Sequence, residues 1–251
     1  MAAGKVADAN GPVTSETPYR AGACVFYYRE PEAEVEIPFK ETIVYEDEHL
    51  LVVDKPHFLP VVPAGRFLHE SLLVRLRAHG QPEALTPIHR LDRETAGVVL
   101  FSRNSDTRGL YTKLFRQRQV EKIYEALAPA PEDRFGFPLV RRSCIVRGEP
   151  FFRMEEMDAP PNAETSIEFV ERGEAGMARY RLSPLTGKKH QLRLHMAALG
   201  IPILNDRLYP VYKRDADDFS RPLQLVARSI AFRDPVSGRE LFFQSARELE
   251  L

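Results

Sequence analysis

The stretch that most constrains this chain is Pro87-Ile88-His89-Arg90-Leu91-Asp92-Arg93-Glu94-Thr95-Ala96-Gly97, followed at once by Val98-Val99-Leu100-Phe101. A short apolar run entered through a glycine reads as a buried strand. The charged residues before it then lie at the mouth of that strand, where a packed scaffold can hold them. Asp92 is flanked by Arg90 and Arg93, and nearby cations favour an ionised carboxylate. Such a carboxylate in a cleft can act as a nucleophile or a base. The spacing alone fits equally well an exposed loop laced with surface ion pairs, which contribute little.

A chain of 251 residues can bury a sizeable core as one large domain or two small ones. The formal net charge of -1 excludes a global basic field. Charge is nevertheless uneven: acids crowd Glu30 to Glu48 and Glu155 to Glu174, while Arg103 to Lys122, Arg141 to Arg147 and Lys188 to Arg193 are basic. A local basic face on a neutral chain is compatible with nucleic acid and equally with a solvated surface. The two cysteines, Cys24 and Cys144, have no metal-like spacing and point to a reducing compartment. The N-terminus lacks an apolar signal core and no run reaches membrane-span length, so the expected location is the cytoplasm.

In chain order, residues 1–17 read as a flexible tail and 18–42 as a short extension, with a strand at Ala23 to Tyr28 and an acidic linker at Arg29 to Glu36. Ile43-Val44-Tyr45 and Leu50-Leu51-Val52-Val53 read as paired strands, and Leu68 to His79 as a helix ended by Gly80. Thr107 to Arg118 reads as a second helix, apolar at Leu110, Tyr111, Leu114 and Phe115 and cationic outside. An alternating strand follows from Val120 to Leu127, then short strands near Leu139 to Val146 and Phe151 to Met154. A hairpin pairs Ser166 to Val170 with Met177 to Leu182. A helix entered from Gly187 ends at Gly200, with Gln191 and His195 on one face and His190 near Arg193. Alternating strands and single helices predict an α+β domain.

His89-Arg90-Leu91-Asp92-Arg93-Glu94-Thr95-Ala96-Gly97 resembles the signature of the RluA-like family of RNA pseudouridine synthases. Three further stretches match in the family's order. Asp54-Lys55-Pro56 is similar to the first motif, without the glycine and histidine that usually follow. Lys122-Ile123-Tyr124-Glu125-Ala126 resembles the K-x-Y-x-A motif. Thr186-Gly187-Lys188-Lys189-His190-Gln191-Leu192-Arg193-Leu194-His195 resembles T-G-R-x-H-Q-I-R-x-H, with Lys188 replacing the usual arginine. Asn205 stands where glycine is common, and Val226 where histidine often precedes the alanine. The resemblance spans residues 43 to 240.

The resemblance implies a mixed, mainly antiparallel central sheet with flanking helices, a central RNA-binding cleft, and a catalytic domain over 43–251. Too few residues precede it for a whole S4-type RNA-binding domain, so 18–42 are read as a remnant of its end. By the same resemblance Asp92 is the catalytic carboxylate, Tyr124 packs on the target base, and Arg193 is the buried arginine that pairs with Asp92. Lys55, His89, Arg90, Arg93, Lys122, Lys188, Lys189, His190 and Gln191 are the expected RNA contacts. The implied activity is isomerisation of uridine in ribosomal or transfer RNA by a monomer, with no cofactor or metal. Shared metal ligation by His190 and His195 is disfavoured, because an i, i+5 spacing puts the rings on different helix faces. The competing reading is a non-catalytic RNA-binding or RNA-folding protein using the same cleft.

Overall fold

Runs of β-branched and aromatic residues, separated by glycine and proline, give this chain fourteen strands and three helices among its described residues. In the computed structural model these are residues 6–27, 34–131, 135–214 and 216–250. They divide into two units, Met1–Val35 and Glu36–Leu251.

The first unit holds β1 (Val6–Asp8), β2 (Gly11–Pro12) and β3 (Val25–Tyr27), an antiparallel sheet in the order β2-β1-β3. This corrects the expectation of a flexible tail over 6–12. The turn is built by Asn10, whose N–H donates to Asp8 Oδ1 (2.7 Å), and by Gly11 at φ 123°. The readings for residues 1–5 and 28–33 lie outside the described residues.

The second unit begins earlier than residue 43. Ile37 is buried, its N–H donates to Glu70 Oε2 (2.9 Å), and Arg75 donates to the carbonyls of Ile37 and Phe39 (both 2.8 Å). Its first half contains β4 (Thr42–Glu46), β5 (Leu50–Lys55), α1 (Leu72–Ala78), β6 (Thr86–Pro87), β7 (Ala96–Ser102) and α2 (Arg108–Arg116). Its second half contains β8 (Glu121–Pro129), β9 (Leu139–Arg147), β10 (Met154–Met157), β11 (Ala163–Arg172), β12 (Met177–Pro184), α3 (Gln191–Ala198), β13 (Leu225–Arg233) and β14 (Glu240–Gln244). The strands form one sheet in the order β10-β9-β11-β12-β8-β13-β7-β5-β4, with β6 on β7 and β14 on β13.

Alternation places the core. In β5 and β7, Leu51, Val53, Val99 and Phe101 face α1 through Leu72 and Leu76. The alternate residues Leu50, Val52, Val98 and Leu100 face α2 through Tyr111. Both faces are covered, which is why these strands read as unbroken apolar runs. Across the sheet, Ala126, Ile167, Tyr180 and Leu182 pack on Leu192 and Met196 of α3.

The two halves meet where β13 lies beside β7, the only parallel pairing among the described strands. Val226 opposes Ala96 and Ala227 opposes Gly97. Gly97 has φ 112°, and a Cβ there would lie 2.3 Å from the Ala227 carbonyl oxygen. Only glycine fits at this crossing.

Three expectations shift. The first helix starts at Leu72 because the Leu72 and Leu73 N–H groups bond Pro60 and Val61 carbonyls. Phe151 and Phe152 form a turn, closed by Gly148 N–H on the Arg153 carbonyl (3.1 Å), so β10 starts only at Met154. β14 is an added strand, held by Phe243 against Tyr45 and Phe232.

Candidate active site

The loop that precedes β7 carries Asp92 to the parallel crossing, and β8 brings Tyr124 to it from the other half. The turn before α3 adds His190, and the first turn of α3 adds Arg193. Together these residues line a pocket of about 100 Å³ that opens into a groove of about 970 Å³. Arg90, Lys122 and Lys188 also line the pocket. The Asp92 side chain is 24% exposed, so its carboxylate is open to a ligand.

Arg193 is the largest fully buried side chain. The expected pairing of Arg193 with Asp92 is present at 3.6 Å, and the arginine has closer partners besides. Its Nε and Nη2 donate to the two oxygens of buried Asp206 (2.8 and 2.7 Å), a bidentate fork. Its Nη1 then lies between Glu94 Oε2 (3.4 Å) and Asp92 Oδ2 (3.6 Å). Burial opposes the guanidinium charge, but Asp206 and the other two carboxylates outweigh it and raise its pKa. Burial likewise works to raise the Glu94 pKa, and Arg193 and Arg93 overcome it, holding that carboxyl near 2.

His190 adopts a left-handed conformation, φ 55°, immediately before α3. That puts its Nε2 3.9 Å from Asp92 Oδ1 and its Nδ1 3.0 Å from the Tyr209 hydroxyl. Burial lowers its pKa, with Asp92 pulling the other way. The Tyr124 pKa is raised by burial first and by the negative charge of Asp92 second, so the phenol is neutral at physiological pH. Among the described residues the Tyr124 hydroxyl makes no hydrogen bond. Ring and carboxylate thus line the same pocket.

Several expected RNA contacts are occupied inside the protein. Lys55 is fully buried, its Nζ donating to the carbonyls of Pro56 (2.9 Å), Leu59 (2.7 Å) and Arg93 (3.1 Å). Burial lowers its pKa to about 7. It braces the Asp92 loop and does not reach a ligand. Gln191 is buried too: its amide oxygen accepts from Thr186 Oγ1 and Lys188 N, and its amide nitrogen donates to Glu164 O and Thr165 Oγ1. It shapes the turn before α3. Arg93 forks onto Asp217 (2.9 and 2.8 Å) and also bonds Glu94 (3.0 Å), so its charge is taken. His89 stacks on Phe115 (4.8 Å between centroids) and accepts from Leu100 N; burial holds its pKa near 3. Of the expected contacts, Arg90, Lys188 and Lys189 are exposed on the groove wall, with Lys122 half-buried beside them, and exposed Arg116 and Arg118 line the groove too.

Asp206, Glu94 and Tyr209 were not among the expected site residues. Glu94 and Asp206 lie within recognised stretches, but an acid's partner across the fold leaves no mark in local spacing.

The fold and the motifs agree with the comparisons. A family model described as RNA pseudouridylate synthase matches residues 49–198. The dual-specificity RNA pseudouridine synthase RluA of Salmonella typhimurium is 32% identical over 214 residues, 80% of this chain and 91% of that one. The protein of the same name from Escherichia coli is 32% identical over 215 residues, covering 81% and 91%. Among solved structures, human RNA pseudouridylate synthase domain containing 4 gives a TM-score of 0.61 at 28% identity, covering 83% of this chain and 88% of that one. Human RNA pseudouridylate synthase domain containing 1 shares the fold with a TM-score of 0.67 at 24% identity, each chain covered to 86%.

The class defined by this sheet and these motifs is that of the RNA pseudouridine synthases, which are isomerases. Within it, the chain belongs to the RluA-like family. Among the described residues no helix is long and apolar enough to cross a membrane.

Proposed function

We propose that this chain isomerises specific uridines of ribosomal or transfer RNA to pseudouridine, with Asp92 as its catalytic carboxylate. The observation that carries the reading is the open Asp92 carboxylate in one pocket with Tyr124, with Arg193 Nη1 at 3.6 Å and His190 Nε2 at 3.9 Å. The relatives named dual-specificity RNA pseudouridine synthases support two kinds of RNA as candidate substrates.

A uridine inside a stack cannot reach this carboxylate, so the target nucleotide leaves the stack, at a cost of a few kcal/mol unless it is already unpaired. Asp92 attacks C1′ or takes a proton from the ribose, and the C1′–N1 bond breaks. The freed uracil, held against the Tyr124 ring, turns to present C5. A C5–C1′ bond forms as the Asp92–C1′ bond breaks, or as Asp92 returns the ribose proton; N1 takes up a proton and the C5 proton is lost to solvent. Arg193 Nη1, 3.6 Å from Asp92 Oδ2, places a fixed positive charge beside the carboxylate while charge redistributes. Arg90, Lys188 and Lys189 hold the backbone, which makes binding salt-sensitive. No cofactor enters the scheme.

The test is tritium release from RNA carrying 5-tritiated uridine, using transfer and ribosomal RNA from cells that lack this protein. The wild type releases tritium, and Asp92→Asn binds RNA and folds normally without release. Turnover by Asp92→Asn would refute the assignment. Salt-dependent binding of both pools with no release from either would favour a binding protein.

A further inference from the structure

Three aromatic rings cluster at Phe152, whose carbonyl is reached by Lys189 of the groove wall, and the scheme above uses none of them. Phe151 is 68% exposed at the turn between β9 and β10. It meets Phe152 edge-on (5.5 Å between centroids, 78°), and Phe152 meets Tyr212 of the segment after α3 in the same way (5.3 Å, 66°). Val211 beside Tyr212 is 69% exposed. Two separate chain segments therefore present one patch of apolar surface to water, and such patches mark binding surfaces.

Cations frame the patch. The ammonium of Lys189, which lines the groove leading to Asp92, donates to the Phe152 carbonyl (2.8 Å). Lys213 and Arg214 follow Tyr212 and are exposed. A chain of contacts links the patch to the pocket. Arg153, next to Phe152, lies over the Tyr209 ring (5.1 Å) and donates to the Pro210 carbonyl (3.1 Å). The Tyr209 hydroxyl contacts His190 beside Asp92. Exposed rings interleaved with lysine and arginine, continuous with a groove, are the means by which proteins hold single-stranded nucleic acid without reading its sequence.

We infer that Phe151 and Tyr212 form a stacking platform for unpaired bases next to the target uridine, with Lys189, Lys213 and Arg214 on the adjoining phosphates. This rests on the RNA reading above and adds the substrate class: a strand unpaired beside the target, as in a loop, and not a continuous duplex. The platform's distance from Asp92 along the groove then selects how far from the target an unpaired base must stand.

The chain has no tryptophan, so Phe151→Trp installs a single indole reporter on the platform. Titration uses a short oligouridylate, alone and paired with oligoadenylate. The single strand quenches the indole saturably and less so at high salt, and the duplex quenches weakly. Phe151→Ala and Tyr212→Ala each weaken oligouridylate binding roughly five- to a hundredfold, with an unchanged unfolding midpoint. Unquenched emission while the strand is bound, or alanine variants that bind like the wild type, would overturn the proposal. A chain whose indole is quenched by RNA that never releases tritium would defeat the isomerase reading and leave the platform standing.

Discussion

Replacing Asp206 by asparagine preserves the shape of the side chain and removes the charge that holds Arg193. Asp206 Oδ1 accepts from Arg193 Nη2 and also from the N–H groups of Leu208 (2.8 Å) and Tyr209 (3.1 Å), whereas Oδ2 accepts from Arg193 Nε. Three donors fix the amide oxygen at the Oδ1 position, so the new NH₂ points at Arg193 Nε and that hydrogen bond is lost. A hydrogen bond to a charged group contributes about 1.5–3 kcal/mol. Loss of the countercharge beside a buried guanidinium adds to it, short of the roughly 3–5 kcal/mol of a fully orphaned charge, because Glu94 and Asp92 remain within 3.6 Å. The expected destabilisation is about 3 kcal/mol, read from urea unfolding with an unchanged slope. An ordinary domain margin of about 5–15 kcal/mol leaves the variant folded. Its guanidinium swings towards the other two carboxylates, so the maximal rate of tritium release falls about tenfold or more while half-saturating RNA stays near the wild-type value. A midpoint within about 0.5 kcal/mol of wild type, together with normal turnover, would show that the fork neither stabilises nor aims Arg193.

Two further outcomes follow from geometry and charge. Gly97→Ala puts a methyl group against the Ala227 backbone at a positive φ, so thermal unfolding falls by at least about 3 kcal/mol or the protein is recovered insoluble; a melting curve like the wild type's would refute the close crossing. His195 is fully buried between Ser143 and Thr165, and burial holds its pKa near 4. The unfolded chain takes up that proton first, near pH 6.5, so stability falls as the pH drops from about 6.5 to 4, by up to about 1.4 kcal/mol per pH unit from this ring. His195→Gln shows a shallower acid limb in urea titrations; an identical slope would show that the ring is already charged in the folded state.

Much of the fold was legible because period and punctuation speak locally. Val98 to Phe101 could be read as a buried strand, and the apolar stripe from Leu110 to Phe115 as a helix, since each signal lies within one element. Glycine at 97 marked the strand entrance, but its reason, the Ala227 backbone, is a contact between residues far apart in the chain. The same limit governs the site. Asp92, Tyr124 and Arg193 were found because motifs carry them, whereas the Asp206 fork exists only once α3 and the segment after it have docked. Lys55, Arg93 and Gln191 illustrate the converse. The motifs that hold them suggested contacts with RNA, and in the fold each side chain bonds backbone carbonyls, a carboxylate or a turn. Composition cannot separate an inward polar group from an outward one.

The insertion of β13 between β7 and β8 also bears on how the chain is made. β7 and β8 are consecutive strands, yet the strand between them is synthesised last but one. Until it emerges, Ala96 and Gly97 at the start of β7 lack their partners, and the edge of β8 along Glu121 to Ala126 is open. Such edges template association with other chains. A ribosome pausing between residues 184 and 225 would therefore hold out two unfinished half-sheets with Asp92 on one and Tyr124 on the other, so the pocket they share and protection from aggregation arrive in the same step.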